Sequence, residues 1–283
     1  MSGYDSICCF SGENIKTNRV CWELLSDCNL KCYFCHRNKE VDMKYDFKNM
    51  EMSINLLNRY NIKKVILSGG EPLMHPKLFE IVDTLKENEM QVDLCTNAYY
   101  YDESISRKIA YRFNEVSISI DSFDKYRHDS IRGVRGAFDR TITNVKKLIE
   151  LGVNIHSTTL VTIDMIDDIP IIVSFLHKLG IKSMAFIGYI PFNTGENLLL
   201  EPKNQEKLKR IFFDLRTGNN SFEINTKQLI MNDAMKCHAG RKVFGMGPDG
   251  LRICSCLLLR DRSKLSISHK SVGCCPGSRK YTT

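Results

Sequence analysis

The chain alternates short apolar runs with segments of helical periodicity between about residue 19 and residue 190. The apolar runs are rich in Val, Ile and aromatic residues, which is typical of parallel strands that are covered on both faces. Between the runs, apolar residues recur every three or four positions, as in Phe138, Ile142 and Val145, and this spacing predicts helices. We predict strands over residues 19–25, 64–67, 91–95, 116–120, 153–161 and 184–190.

Three of the predicted helices end at residues that tolerate a left-handed backbone. These residues are Asn61, Gly152 and Gly180, and the next predicted strand follows each of them closely. The repeated order of strand, helix and strand predicts a parallel sheet with right-handed crossover connections. The fold class we expect is therefore α/β, in the form of a partial (β/α)6 barrel of the TIM type, with a doubly wound open sheet as the alternative.

The pattern changes after Pro191, and this change indicates a domain boundary. We expect residues 1–18 to form an N-terminal extension and residues 19–195 to form the barrel. A polar stretch then leads to one helix near residues 205–215 and to a tail that carries five cysteines. We therefore expect residues 196–283 to form a small cysteine-rich C-terminal domain.

Composition excludes several classes of protein. With 283 residues, 43% of them hydrophobic, and a formal net charge of +7, the chain is too apolar and too weakly charged to be disordered as a whole. No apolar run approaches the roughly 18 residues that a membrane-spanning helix needs. The N-terminus lacks the features of a secretory signal. We therefore expect a cytoplasmic protein, in which 12 cysteines favour metal or redox chemistry over disulfides.

The strongest motif follows the first predicted strand, where Cys28, Cys32 and Cys35 have the spacing CxxxCxxC. In a parallel barrel, the loops after the carboxyl ends of the strands build the active site. Three thiolates in one such loop supply ligands for a single metal centre, and iron–sulfur clusters are commonly held by cysteine thiolates. The alternative is a zinc site completed by His36, although zinc sites favour CxxC pairs over this spacing.

A second motif, Gly69-Gly70-Glu71-Pro72, follows the second predicted strand. By itself it predicts a tight turn before a helix that begins near Pro72. At the same rim as the cysteine loop, it also places a carboxylate and bare backbone against a ligand. The two motifs together, one strand apart, are more specific than either alone.

With these motifs, residues 19–190 resemble the radical S-adenosylmethionine (SAM) enzymes. The resemblance implies that Cys28, Cys32 and Cys35 bind a [4Fe-4S] cluster whose fourth iron is chelated by SAM. It also implies that one electron from the cluster splits SAM into methionine and a 5′-deoxyadenosyl radical, which takes hydrogen from a substrate carbon. A low-potential electron donor such as flavodoxin or ferredoxin is implied as a partner.

The resemblance assigns further residues to the SAM site. Glu71 and its neighbours would hold the methionine amino group, and Phe34 would lie near the adenine. Ser119 and Asp121 would contact the ribose or the methionyl end, and Arg132 would pair with a carboxylate. The cofactor-binding residues expected on this basis are Phe34, Gly69, Gly70, Glu71, Pro72, Thr96, Asn97, Ser119, Asp121 and Arg132.

The cysteines of the tail resemble the start of the SPASM and twitch domains, which carry auxiliary clusters in this family. The spacing between Gly250 and the next cysteine differs by one from the family pattern, and the sequence lacks the dense later cysteines of a full SPASM domain. We therefore expect one auxiliary [4Fe-4S] cluster, with a structural zinc site as the alternative. The candidate ligands are Cys237, Cys254, Cys256, Cys274 and Cys275.

The remaining cysteines receive no metal role. Cys21 and Cys95 lie within predicted strands, and we expect them to pack as small hydrophobic residues. Cys95 also lies near the active rim, so a role as a hydrogen donor is the alternative for this thiol. No role for Cys8 or Cys9 follows from the sequence.

Three functions remain as hypotheses. The first is a radical SAM enzyme that acts on a small polar metabolite or natural product by oxidation, epimerisation or decarboxylation. The second is a maturase that crosslinks or epimerises a ribosomally made peptide, although we expect the roughly 20 residues before the barrel to be too few for a leader-binding domain. The third is a non-enzymatic metal-binding protein. Nucleic acid is not expected as a partner, because the chain has no basic stripe with interleaved aromatic residues.

Overall fold

The computed structural model describes residues 18–35, 44–100, 102–188, 200, 203–218, 222–228, 244–250 and 253–254. The chain divides into two compact units, which are described separately. Of the described residues, unit 1 contains 18–27, 44–93, 244–250 and 253–254, and unit 2 contains the rest. Among the described residues, no helix combines the length and the apolar character that a membrane-spanning segment needs.

Unit 1 is built mainly from parallel strands that helices connect. Its elements are β1 (Arg19–Glu23), α1 (Met50–Arg59), β2 (Lys64–Ser68), α2 (Leu78–Glu87), the first half of β3 (Gln91–Thr96), β8 (Phe244–Met246) and β9 (Ile253–Cys254). Within this unit the strands lie in the order β3-β2-β1-β8-β9. Strand β1 is parallel to both β2 and β8, whereas β9 is antiparallel to β8.

The strands and helices of unit 1 each bury one face. In β1 and β2, the side chains of Val20, Trp22, Val65 and Leu67 are fully buried and alternate with more exposed residues. This alternation follows from the period of two along a strand. Helix α1 buries an apolar stripe that includes Leu57. The apolar pattern of the sequence therefore accounts for the core of this unit.

A turn at residues 247–250 is held within unit 1 by buried polar groups. Trp22 Nε1–H donates a hydrogen bond to the backbone oxygen of Gly247 at 3.1 Å. Ser53 Oγ–H donates to the backbone oxygen of Gly250 at 2.9 Å. Gly250 has a φ of +66°, and a Cβ atom at this position would lie 2.3 Å from the ring of Tyr45. Only glycine allows this close approach.

Unit 2 repeats the same alternation of strands and helices. Its elements are the second half of β3, α3 (Ser104–Arg112), β4 (Glu115–Ser119), α4 (Lys125–Arg132), α5 (Ala137–Glu150), β5 (Ile155–Val161), α6 (Ile169–Leu179), β6 (Ser183–Gly188), α7 (Asn204–Gly218) and β7 (Glu223–Gln228). Within this unit the strands lie in the order β7-β6-β5-β4-β3. The pairs β4–β5, β5–β6 and β6–β7 are parallel.

The predicted α/β class is confirmed, and each of the six predicted strands is present within about two residues of its expected bounds. The predicted left-handed joints are also present, because Asn61, Gly152 and Gly180 have φ values of 51°, 75° and 98°. Strands β7, β8 and β9 were not predicted. In β7 only Ile224 is apolar, and β8 has three residues, so neither produces a recognisable apolar run.

The strands that were not predicted show where the described part of the segment after residue 195 pairs. Strand β7 pairs in parallel with β6 of unit 2, and β8 pairs in parallel with β1 of unit 1. The described part of residues 196–283 therefore adds β7 to the strands of unit 2 and adds β8 and β9 to the strands of unit 1.

Candidate active site

The loop after β1 carries the three cysteines predicted as cluster ligands. Cys32 is buried, and Cys28 and Cys35 are half-buried. None of the three forms a disulfide. They pack with the apolar side chains of Leu30 and Ala137. The loop therefore offers three thiol groups in surroundings that exclude much of the solvent.

Nitrogen donors are directed at the sulfur atoms of this loop. The backbone N–H of Leu30 donates to Cys28 Sγ at 3.4 Å, and Asn97 Nδ2 donates to the same sulfur at 3.7 Å. Arg132 Nη1 donates to Cys32 Sγ at 3.7 Å. Such donors stabilise a thiolate and tune a metal that the thiolate binds.

The end of α4 fixes the backbone of the cysteine loop. Lys31 N–H donates to the backbone oxygen of Arg132 at 2.9 Å, and Tyr33 N–H donates to that of Ile131 at 3.4 Å. Gly133 follows with a φ of +69°, and a Cβ atom there would lie 2.4 Å from the backbone oxygen of Lys31. The loop and the helix end can approach this closely only because residue 133 is glycine.

Arg132 joins the cysteine loop to the end of β4. Its buried side chain forms an ion pair with Asp121, with Nη2 and Oδ2 2.6 Å apart. Its guanidinium carbon lies 5.3 Å from the centre of the Phe34 ring. Burial raises the pKa of the Cys32 thiol, and the neighbouring Arg132 guanidinium opposes that rise. Arg132 therefore contacts three of the residues that the sequence singled out.

Asp121 is held by backbone and side-chain contacts. Its Oδ1 accepts a hydrogen bond from Leu160 N–H at 3.0 Å, and its own N–H donates to His128 Nδ1 at 3.3 Å. Burial, together with the nearby charge of Arg132, lowers the pKa of His128 to about 3. The His128 ring is therefore neutral at physiological pH, with Nδ1 as the acceptor.

Thr96 and Asn97 shape the end of β3. Asn97 Nδ2 donates to Asn29 Oδ1 at 2.8 Å, and Asn97 Oδ1 accepts from Tyr99 N–H at 2.7 Å. Thr96 Oγ1 accepts from Ala98 N–H at 3.0 Å. These contacts tie the end of β3 to the cysteine loop of the same unit.

Two other candidates lie close to these residues in the chain. Ser119 ends β4 two positions before Asp121 and is half-buried. Cys95 lies in β3 beside Thr96, is half-buried and forms no disulfide.

In unit 1, the backbone of the Gly69–Pro72 motif is fixed by the segment after β1. Gly69 has a φ of +120°, and a Cβ atom there would lie 2.5 Å from the backbone oxygen of Leu25. Gly70 N–H donates to the same oxygen at 2.7 Å, and Glu71 N–H donates to that of Asp27 at 2.8 Å. The first glycine is therefore required by a close approach of two backbone segments.

Glu71 itself is buried, with 2% of its surface exposed. Its Oε1 accepts a hydrogen bond from Leu73 N–H at 3.1 Å. The carboxylate thus caps a short 3₁₀ helix that begins at Pro72, the position at which the sequence predicted a helix start.

Several predicted metal ligands lie outside the described residues. The backbone of Cys254 belongs to β9, but its side chain is not among the described groups. The others are His36, Cys237, Cys256, Cys274 and Cys275.

Comparison with known proteins identifies the family. Residues 22–176 match the sequence model of the Radical SAM superfamily. The chain belongs to the radical SAM superfamily. Members of this superfamily use a [4Fe-4S] cluster and SAM, and the sequence prediction is confirmed at this level.

Two curated relatives illustrate the range of the superfamily. The chain is 27% identical over 202 residues to the AdoMet-dependent heme synthase of Methanosarcina barkeri, and the match covers 70% of this chain and 58% of that relative. It is 24% identical over 248 residues to a probable GTP 3′,8-cyclase of Methanocaldococcus jannaschii, with 86% of this chain and 76% of the relative covered. The chain therefore spans less than two thirds of the first of these relatives.

Solved structures confirm the fold. SuiB of Streptococcus suis, solved with S-adenosylmethionine, has a TM-score of 0.73 and 18% identity, with 89% of this chain and 63% of SuiB covered. Native anSMEcpe with bound AdoMet has a TM-score of 0.71 and 17% identity, with 93% of this chain and 82% of anSMEcpe covered. At this level of identity the likeness concerns the fold alone, and it supports the predicted partial TIM-type barrel.

The donor set of the cysteine loop fits an iron–sulfur cluster. Cys28, Cys32 and Cys35 place three thiols in one loop, and N–H groups donate to the sulfur atoms of Cys28 and Cys32. Cysteine thiolates that accept such hydrogen bonds are the usual ligands of iron–sulfur clusters.

Sequence reasoning missed two groups that shape this site. Asn29 bonds to Asn97, and its position between the first and second cysteines is the signal that would have identified it. Leu160 contributes only its backbone N–H to Asp121, and a backbone contact of this kind cannot be identified from the residue type.

Proposed function

We propose that this protein abstracts hydrogen from a C–H bond of a small polar metabolite or natural product, leading to oxidation, epimerisation or decarboxylation. The observation that carries the proposal is the cysteine loop after β1, whose sulfur atoms accept hydrogen bonds from Asn97 and Arg132. Membership of the superfamily supplies the reaction type. The substrate class and the residue roles below are our proposals.

In this proposal Cys28, Cys32 and Cys35 hold the [4Fe-4S] cluster, and the protein controls what surrounds it. When bound, the cluster and SAM supply one-electron cleavage to methionine and a 5′-deoxyadenosyl radical. Asn97 and Arg132 orient the ligating sulfur atoms through N–H donors. Burial of Cys32 limits the access of water to its sulfur atom.

We assign the binding of SAM to residues that follow the carboxyl ends of the strands. In unit 2, the guanidinium of Arg132 and the ring of Phe34 offer a charge and an aromatic face, and Arg132 Nε has no hydrogen-bond partner among the described residues. In unit 1, the bare backbone of Gly69 and Gly70 supports the predicted contact with the methionine end. The complete proposed set is Phe34, Gly69, Gly70, Glu71, Pro72, Thr96, Asn97, Ser119, Asp121 and Arg132.

The C-terminal cysteines form the second part of the proposal. We assign an auxiliary [4Fe-4S] cluster of the SPASM or twitch type to residues 196–283, with zinc as the alternative. Support comes from the sequence spacing and from the β8–β9 pair, in which Cys254 lies opposite Gly245. A low-potential donor such as flavodoxin or ferredoxin would supply the electron. Iron analysis tests the auxiliary site, because one cluster corresponds to about four irons per chain and two clusters to about eight.

Two substrate classes remain to be separated. The name of the GTP 3′,8-cyclase specifies a nucleotide, which favours a small polar substrate for a related chain. SuiB has also been solved with its precursor peptide SuiA, and this fold neighbour motivates the peptide alternative. Incubation with a peptide library and with a library of polar metabolites, followed by mass spectrometry, separates the two classes.

Anaerobic reconstitution tests the central claim. With iron, sulfide, SAM and dithionite, we expect the protein to form 5′-deoxyadenosine, and we expect Cys32→Ala to reduce that product at least about 100-fold because one cluster ligand is lost. Cys21→Ala is the matched control, since Cys21 is a half-buried cysteine outside the loop, and it should retain activity. Wild-type protein that binds only zinc and never cleaves SAM would refute the proposal.

A further inference from the structure

The described part of unit 2 buries one acidic and one basic side chain, Asp121 and Arg132, with 1% and 6% of their surfaces exposed. Every other Asp, Glu, Lys or Arg of this unit whose side chain is described is at least partly exposed, and solvent screens the field of such charges. The neighbouring His128 is neutral, because burial lowers its pKa to about 3. The Asp121–Arg132 pair is therefore the main source of fixed charge in the interior of the described part of this unit.

One guanidinium group joins this charge pair to a proposed cluster ligand. Arg132 Nη1 donates to Cys32 Sγ at 3.7 Å, and Arg132 Nη2 lies 2.6 Å from Asp121 Oδ2. The carboxylate is fixed from β5 as well, because Asp121 Oδ1 accepts a hydrogen bond from Leu160 N–H at 3.0 Å. The sulfur atom of Cys32 therefore contacts the positive member of the pair directly, and the negative member contacts the other terminal nitrogen of the same planar group.

The two charges have opposite effects on the reduction of a cluster that Cys32 binds. Reduction moves one electron from an external donor to the cluster, so the cluster gains one negative charge. A nearby positive charge and an N–H donor to a ligating sulfur favour this gain and raise the reduction potential. A nearby carboxylate opposes the gain and lowers the reduction potential. Because both groups are buried, solvent weakens neither effect strongly.

We propose that Asp121 and Arg132 set the reduction potential of the cluster at the cysteine loop by acting on it in opposite directions. Arg132 holds the sulfur atom of Cys32 through an N–H donor, and its charge raises the potential. Asp121 offsets that charge and thereby keeps the cluster a strong reductant, which one-electron cleavage of SAM requires. The inference rests on the proposed function and adds how the protein controls the electron transfer at that site.

Redox titration of the reconstituted full-length chain tests this inference. Electron paramagnetic resonance measures the midpoint potential during titration with dithionite and mediators at pH 8. SAM is left out, so a contact between these residues and SAM cannot cause a shift. We expect Asp121→Asn to raise the potential by about 59 mV or more, which corresponds to a tenfold change in the equilibrium constant of a one-electron reduction. Asparagine keeps the shape of the side chain but leaves the charge of Arg132 without its counterion.

Replacement of the cation is expected to shift the potential in the other direction. Arg132→Met removes the charge and the N–H donor to Cys32, so the potential should fall below that of the wild-type protein. The double variant Arg132→Met/Asp121→Asn removes both charges and should lie between the two single variants. Arg127→Met is the matched control, because Arg127 lies on the same helix in partly exposed ion pairs, and it should leave the potential unchanged.

Iron analysis and one ligand variant assign the measured signal to the correct cluster. A variant that is merely destabilised should contain less iron but show the wild-type potential in the clusters that do assemble. Any auxiliary cluster is identified by the signal that remains in Cys32→Ala, which lacks one ligand of the cluster at the cysteine loop. The potentials are then compared for the remaining signal only.

The outcomes separate this inference from the proposed function. Shifts of the same sign in the two single variants, or potentials equal to that of Arg127→Met, overturn the inference even if the wild-type protein forms 5′-deoxyadenosine. If Arg132→Met takes up no cluster, Asp121→Asn decides alone, and a potential that is not raised overturns the inference. Wild-type protein that holds a cluster with the expected shifts but never cleaves SAM supports the inference and refutes the proposed function. Wild-type protein that takes up no cluster refutes both.

Discussion

Replacement of Arg132 by methionine tests whether this side chain is the main electrostatic support of the cysteine loop. Methionine keeps much of the length of the side chain but removes its charge and its N–H donors. Asp121, with 1% of its surface exposed, then becomes a buried carboxylate without its cation. The hydrogen bond to Cys32 and the contact with the Phe34 ring are lost as well.

The size of the expected loss of unfolding free energy follows from the burial of the Arg132–Asp121 ion pair. Removal of one partner of a buried ion pair costs about 3–5 kcal/mol, because the remaining charge keeps its desolvation cost without the compensating attraction. Burial also raises the pKa of Asp121. In the absence of Arg132 this carboxyl takes up a proton as the pH falls, so the loss of unfolding free energy should be smaller at pH 6 than at pH 8.

Urea unfolding of the cluster-free protein in anaerobic reducing buffer, monitored by far-UV circular dichroism, measures the loss of unfolding free energy in Arg132→Met. Arg127→Met is the matched control, since Arg127 lies on the same helix in partly exposed ion pairs with Asp164 and Asp168, and it should cost less than about 1 kcal/mol. The double variant Arg132→Met/Asp121→Asn should be more stable than Arg132→Met alone, because no unpaired charge remains. A loss below about 1 kcal/mol in Arg132→Met, or a double variant that is no more stable, would refute this reasoning.

Two further predictions concern the same unit. Gly133→Ala should destabilise the protein by more than the roughly 1–2 kcal/mol that alanine costs in a left-handed backbone conformation, because the new Cβ meets the backbone oxygen of Lys31. It should also lower the iron content after reconstitution, measured by colorimetric analysis. Gly152→Ala is the control and should retain full iron, because a Cβ atom at residue 152 enters open space. The pKa of His128 is about 3 in the folded protein and about 6.5 in an unfolded chain, so between these values only the unfolded chain binds a proton at this residue. The free energy of unfolding should therefore fall by up to about 1.4 kcal/mol for each pH unit below about 6.5. His128→Gln should show a shallower slope in urea titrations at pH 4–7, and an unchanged slope would contradict a neutral buried His128.

Local patterns in the sequence were sufficient for the parallel strands, the left-handed joints and the three-cysteine loop. These features depend on the period of two along a strand, on the backbone freedom of Gly and Asn, and on ligand spacing within one loop. Strand β7 was missed because its sequence, Glu223–Gln228, is polar at most positions and gains its place from pairing with β6. Tertiary pairing therefore supplied what local periodicity did not.

The contacts of Arg132 required the folded chain. The family resemblance implied that Arg132 pairs with a carboxylate, but the partner could have come from a ligand or from any acidic residue. The structure brings it to Asp121 and to Cys32, which is 100 positions away in the chain. No local signal encodes such a distance. For the motif at residues 69–72, in contrast, the expected helix start near Pro72 is present, and the structure adds that the Glu71 side chain caps this helix.

The hydrogen bond from Trp22 to the turn at residues 247–250 has a practical consequence. Trp22 is the single tryptophan of the chain and is fully buried, with its indole nitrogen on the backbone oxygen of Gly247. Its fluorescence is therefore an intrinsic optical probe of whether β8 remains docked on β1. Emission that shifts to the red before the circular dichroism signal is lost would report release of β8 ahead of global unfolding. Trp22 is thus an intrinsic fluorophore at the contact between β1 and the segment that contains β8.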